Sequence, residues 1–109
     1  MQPIKPNLNG VRVTALVTLY LRWKDSQDSR SLLEDRWAGP AVQSLDFDFA
    51  QLAPIDYTRF TIGARSRVID NWVADYLADN ADAVAIDLGS GFDSRVFRIN
   101  PPASNAWYD

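Results

Sequence analysis

The residues best suited to chemistry in this 109-residue chain gather near its C-terminal end. A short, mostly apolar run at residues 83–88 leads straight into Gly89-Ser90-Gly91-Phe92-Asp93. Glycine at a strand end lets the backbone turn tightly and lets a ligand approach with no Cβ in the way. The N–H groups that follow can face that ligand. Asp87 precedes the first glycine by two residues and Asp93 follows the second by two, so the turn carries negative charge. Strand, Gly-x-Gly and turn in this order form a nucleotide-binding βα junction. The plainer reading is a structural bend, with Asp93 capping the next helix.

Two ligand classes compete for such a turn. Dinucleotide folds use a third glycine for close helix packing and for room beside a pyrophosphate. Here Ser94 holds that position, and Asp93 sets a negative charge where the pyrophosphate lies. S-adenosylmethionine has no phosphate and carries a cationic amino group and a sulfonium. The acids therefore favour the methyl donor over a nicotinamide cofactor.

Residues 85–98, Ala-Ile-Asp-Leu-Gly-Ser-Gly-Phe-Asp-Ser-Arg-Val-Phe-Arg, resemble the first motif of the leucine carboxyl methyltransferase family, which includes polyketide-type bacterial O-methyltransferases. The Asp93-Ser94-Arg95 extension is more specific than the glycines alone. Upstream, Thr14-Ala15-Leu16, residues 32–38, Asp46-Phe47-Asp48-Phe49 and Arg67-Val68-Ile69-Asp70 with Trp72-Val73 are similar in type and order. One departure is Arg36, where a proline often follows the acid at Asp35.

The resemblance implies a class I methyltransferase that moves a methyl group from the sulfonium to a carboxylate or hydroxyl of a small molecule, such as a polyketide-like one. It implies that Arg67 grips the donor's carboxylate, a pairing that suits a guanidinium fork, with neighbouring Arg65 as the substitute. Gly89, Ser90 and Gly91 then lie beside the donor's amino-acid portion, and Asp87 and Asp93 favour its cationic parts. Asp109 is near the spacing of a ribose-binding acid, about 20 residues after the glycines. In the family this segment commonly reads Asp-x-Asp with the second acid as ligand, and Asp109 matches the first. No catalytic residue and no metal site is assigned.

The elements that must position these residues are readable in outline. Residues 1–10 form an irregular lead-in, and residues 14–23 carry helical spacing with Thr14 as a cap. Residues 24–31 read as a polar surface segment. Two short helical pieces follow at 32–38 and 40–45, broken at Gly39, and residues 47–57 form a loop around Pro54. The clearest helix has Val68, Ile69, Trp72, Val73, Tyr76 and Leu77 on its core stripe, with Asp70, Asn71, Asp75 and Asp79 opposite, and ends near Asn80. A buried parallel strand follows at 83–88, then a helical turn or two at 94–99, then a second strand from Ala106 with Trp107-Tyr108 as its packing face. The expected fold class is α/β: an N-terminal helical lid region at 1–80, then at 81–109 the first βα unit of a Rossmann-like sheet, truncated near strand two.

Composition narrows the rest. With no cysteine and no histidine, disulfides, thiolate zinc sites and His-based acid–base chemistry are excluded within these residues. A net charge of -3 with no block of like charges argues against nucleic acid or an anionic membrane as partner. The lead-in lacks the apolar core of a signal peptide, and residues 11–23 are too short and polar to span a bilayer. A cytoplasmic location is the expectation, with a small-molecule methyl acceptor as partner. The alternative is a non-catalytic interaction module that keeps half a cofactor site and self-associates through an uncovered sheet edge.

Overall fold

A computed structural model describes residues 2–109, without the side chain of Val11. Met1, the first residue of the expected lead-in, lies outside the described residues. A 3-10 turn at Gly10–Val13 winds the chain directly into helix α1, Thr14–Ser26. Val13 rather than Thr14 therefore stands at the cap position, in helical conformation. Leu16, Leu19 and Tyr20 recur at helical spacing and are buried, together with Leu21. They pack with Ala38 and Val42 of helix α2, Ala38–Ser44, and with Phe49. Tyr20 stacks on Phe49, with ring centroids 6.2 Å apart, and its hydroxyl donates to Asp56.

Four expectations along this half need correction. Residues 24–26 belong to α1 rather than to a surface segment, and Asp25 is fully buried, accepting from the Ser31 hydroxyl and the Leu33 amide. Residues 32–37 are not helical. Glu34 has φ 54°, and Asp35 turns back to accept from the Trp37 amide, so local polar geometry defeats the helical spacing. Helix α2 runs through Gly39 with Pro40 in its first turn, where proline's missing N–H costs nothing. Residues expected as a loop instead form a 3-10 helix, Phe49–Thr58, started by the Asp48 side chain accepting from Ala50 N.

That 3-10 helix feeds helix α3, Arg59–Asp79. Gly63 is where α3 meets α1: a Cβ there would lie 2.9 Å from Cγ of Asp25. The faces of α3 differ from the expected ones. Asp70 is buried at 7% exposure, whereas Trp72, Tyr76 and Val68 of the expected core stripe are exposed, the first two at 69% and 60%; of that stripe only Leu77 is fully buried. Asp70 goes inside because two arginines meet it there. Trp72 and Tyr76 border an apolar groove with Val84, Ile86 and Trp107, beside a sheet too narrow to cover them.

Strand β1, Val84–Ile86, pairs in parallel with β2, Ala106–Tyr108, in the register Val84–Ala106, Ala85–Trp107 and Ile86–Tyr108. Helix α4, Arg95–Ile99, joins them and ends at Asn100 in the left-handed conformation. The described residues thus form an α/β arrangement with a two-stranded parallel sheet. The strand expected to be buried is shorter than predicted and open on one face. Side chains alternate along a strand, so Val84, Ile86 and Tyr108 share the exposed side while Ala85 and Trp107 are half-buried. No helix among the described residues is long and apolar enough to cross a membrane.

Candidate functional site

The turn after β1 is built as the sequence requires. Gly89 and Gly91 have φ of +63° and +56°, a region that side chains with a Cβ enter only with strain. A Cβ on Gly89 would meet nothing within 4 Å, so its surroundings are open. A Cβ on Gly91 would stand 3.2 Å from that of Ala15, so this glycine also admits α1 close to the turn. The Asp87 amide continues the strand pairing to the Tyr108 carbonyl at 2.8 Å, and Asp93 N closes the turn onto Ser90 O at 2.9 Å.

Three carboxylates converge at the C-terminal ends of the parallel strands, the place where open α/β sheets bind ligands. The Asp87 carboxyl is pushed up to about 6, chiefly by burial and then by its hydrogen bond with Asp93 and that residue's charge; Asp109 adds to the effect. Asp93 moves the other way. Burial alone would raise it, but the hydrogen bond from Asp87 and the guanidinium groups of Arg95, Arg98 and Arg22 hold it below the usual carboxylate range. Below about pH 6 the pair thus shares a proton that sits on Asp87, and above it both carboxylates are ionised. Asp109 is exposed and accepts from the Trp107 indole at 2.7 Å.

The cap position of α4 is Ser94, without a side-chain cap bond, so Asp93 is not the cap weighed from sequence; it stands one residue earlier and accepts from Arg95 N at 3.1 Å, alongside its ion pairs. Its Oδ2 lies 3.1 Å from Arg95 Nη1, and its Oδ1 3.3 Å from Arg98 Nη1. Arg98 in turn forks onto Asp70 with contacts of 2.7 and 2.9 Å, and Arg95 adds a third at 2.9 Å. Asp70 is therefore the anchor for α4.

The two arginines of α3 part company. Residues two apart on a helix point to nearly opposite sides. Arg65 lines a groove with Ser90, Asp93, Arg95 and Arg22. Arg67 lines a different one, with Leu33, Trp37, Asp70 and Arg98. The structure therefore brings Asp87, Ser90, Asp93 and Arg65 together around the glycine turn, and leaves Arg67 outside that group. A second groove on the turn's other flank is bordered by Leu8, Arg12 and Ala15.

Sequence reasoning missed Arg22 and Asp35, both buried against the turn. A signal was present for the first: Arg22 follows Leu19 by three on the apolar stripe of α1, where a charge needs a partner.

The leucine carboxyl methyltransferase family matches residues 15–109. The tetracenomycin polyketide synthesis O-methyltransferase TcmP of Streptomyces glaucescens is 34% identical over 102 residues, covering 94% of this chain and 38% of that protein. The S-adenosyl-L-methionine-dependent methyltransferase dpfgK of Gibberella zeae is 32% identical over 103 residues, covering 87% of this chain and 35% of that protein. The chain thus spans little more than a third of either relative's length. No solved structure matches. By the extent of these matches, the chain belongs to the leucine carboxyl methyltransferase family.

Proposed function

We propose that these residues form the donor-binding portion of an S-adenosylmethionine-dependent O-methyltransferase, with residues 1–80 as a helical lid region and residues 81–109 opening a Rossmann-like domain. One observation carries the reading: an open glycine turn with Asp87 and Asp93 beside it, and Arg65, a guanidinium with no ion-pair partner among the described residues, on the groove of Ser90 and Asp93. The donor's amino-acid end is a zwitterion next to a sulfonium, so it needs both signs of charge at close quarters. A pyrophosphate needs only positive charge and would face Asp93. Both similar proteins are methyltransferases by name, which supports the same choice.

Bound here, the donor supplies a methyl group on a positively charged sulfur. Arg65 takes its carboxylate in place of Arg67, and the acids take its amino group. The Gly89–Gly91 turn lies beside the amino-acid portion, and Asp109 lies at the β2 end toward the ribose. The acceptor is a small molecule presenting a carboxylate or hydroxyl oxygen, and TcmP makes a polyketide-like acceptor the first to try. A carboxylate is already ionised near neutral pH and needs no general base. Alignment and proximity then supply most of the rate, which suits a chain without histidine. Cytoplasmic placement accords with a diffusible donor and acceptor.

Thermal unfolding with and without S-adenosylmethionine, with NAD as control, tests the reading. At about 100 times its dissociation constant the donor should add roughly 2.7 kcal/mol to the folded state. An upward shift with the donor alone is expected; a shift with NAD alone would overturn it.

A second reading is favoured by the exposed side chains Val84, Ile86 and Tyr108 on the open sheet face. In it, the chain is an interaction module whose open sheet pairs with a second copy. Sedimentation separates the two readings: concentration-dependent dimers unaffected by donor favour the module, and a donor-stabilised monomer excludes it.

A further inference from the structure

We propose that Arg22 and Asp35, remote in sequence from the glycine turn, are positioning residues that set its geometry for the donor's amino-acid end. The proposal rests on the donor reading above and extends it to side chains that need not touch the donor.

Ser94 stands at the centre of the cluster. A hydroxyl has one proton to donate and two lone pairs. Ser94 donates to Asp35 Oδ2 at 2.7 Å and accepts from Arg22 Nη1 at 3.1 Å and Arg98 Nη1 at 2.6 Å. Its capacity is spent inside the protein, and nothing remains for a ligand. Arg22 uses the same planar group on the turn itself: Nη2 donates to the Phe92 carbonyl at 2.7 Å, and Nη1 reaches Asp35 at 3.1 Å. Its Nε is held in turn by the Thr18 carbonyl at 3.3 Å.

The Phe92 carbonyl belongs to the peptide that joins Phe92 to Asp93. Fixing it fixes the Asp93 amide, which closes the turn onto Ser90. Arg22 Nη1 also stands 3.8 Å from Asp93 Oδ1, steadying the carboxylate. Asp35 is the counterweight: fully buried, it holds the guanidinium plane through Oδ2 while Oδ1 is taken by the Trp37 amide. A guanidinium fork directs hydrogen bonds along fixed lines, whereas a lysine offers one mobile charge. Apolar residues of similar volume could hold α1 to the turn at no greater cost. What this cluster adds is direction, delivered where Arg22 borders the groove of Arg65, Ser90 and Asp93.

The test uses the full chain with S-adenosylhomocysteine as the titrant in calorimetry, together with amide NMR spectra of the free protein. Arg22→Lys and Asp35→Asn should weaken binding by about tenfold, the order of loss when one hydrogen bond to a charged group is misdirected. They should also move the amide signals of Ser90 through Asp93. Ser94→Thr, which keeps the hydroxyl, should restore what Ser94→Ala loses in both measurements. Leu19→Ala, a destabilised core control that removes no polar contact to the turn, should lower the melting temperature and leave the affinity of the folded protein unchanged. Equal losses in Arg22→Lys and Leu19→Ala, or turn amides that do not move, overturn the proposal. If either charged variant fails to fold, the Ser94→Ala and Ser94→Thr pair decides. If the unaltered chain binds no titrant, the donor reading fails instead. The amide signals still judge the positioning claim: shifts centred on the turn uphold it, and unmoved signals refute it.

Discussion

Arg65 and Arg67 stand two residues apart on α3 and border different grooves, Arg65 with Ser90 and Asp93, Arg67 with Trp37 and Arg98. The helix repeat alone produces this separation. Both are exposed, so the choice between them turns on direction rather than burial. A guanidinium–carboxylate hydrogen bond contributes roughly 1.5–3 kcal/mol. Arg65→Ala should therefore weaken S-adenosylmethionine binding by roughly ten- to a hundredfold, and Arg67→Ala should leave it nearly unchanged. Isothermal titration of the two variants measures the contrast, and the reverse order would return the role to Arg67.

The shared proton of Asp87 and Asp93 makes donor binding depend on pH. Asp87 titrates near 6 in the folded protein against 3.8 for an unperturbed side chain. A cationic amino group prefers both carboxylates ionised, so binding below 6 must displace a proton. Affinity should rise between about pH 5 and 7 and then level off, with proton release detectable by calorimetry in buffers of different ionisation enthalpy. Asp87→Asn should flatten that rise as well as weaken binding. Stability runs the opposite way. A carboxyl raised on folding binds more protons in the native state, so its contribution is full below 3.8 and is lost as pH climbs through about 6. Asp87→Asn should therefore make melting less sensitive to pH across that window.

Gly89 and Gly91 share a backbone conformation but not a neighbourhood. Alanine at Gly89 meets only the left-handed backbone cost, about 1–2 kcal/mol, because no atom lies within 4 Å. Alanine at Gly91 meets the same cost and also crowds Ala15 at 3.2 Å, so α1 must give way. Gly91→Ala should be the more destabilising of the two in denaturant unfolding. Because Gly89 faces open space, Gly89→Val should harm donor binding more than stability. Equal melting losses for the two alanine variants would show that Ala15 yields freely.

The legible parts of this chain were those in which sequence neighbours do the work. The glycine turn, α4 within residues 94–99, and the second strand from Ala106 depend on local conformation and stand where the sequence places them. The misread parts depend on partners far away. Asp70 is inside because Arg95 and Arg98, on another helix, meet it there. Trp72 and Tyr76 read as core because their spacing is helical and apolar, yet periodicity cannot tell whether a sheet is wide enough to cover them. The site divides in the same way: Gly89, Ser90, Gly91 and Asp93 lie within one short segment, whereas Arg22 and Asp35 are joined to it only by tertiary contacts.

Asp25 and Gly63 give the sharpest test of how α1 and α3 meet. Replacing a helical glycine by alanine normally stabilises by up to about 1 kcal/mol. Here the new methyl would sit 2.9 Å from both Cγ and Oδ1 of Asp25. Asp25 cannot swing aside cheaply, since its Oδ2 holds the Ser31 hydroxyl and the Leu33 amide in a fully buried position. Overpacking of this kind costs roughly 1–3 kcal/mol, enough to cancel the helical gain and exceed it. Gly63→Ala should therefore lower stability by about 1 kcal/mol, the difference of those two terms. Asp25→Ala in the same background removes the clash; it also takes the acceptor from the Ser31 hydroxyl and the Leu33 amide, a cost that the single Asp25 variant carries equally. The double variant Asp25→Ala/Gly63→Ala should consequently be less destabilised than the sum of the single changes, and strict additivity in denaturant unfolding would refute the contact.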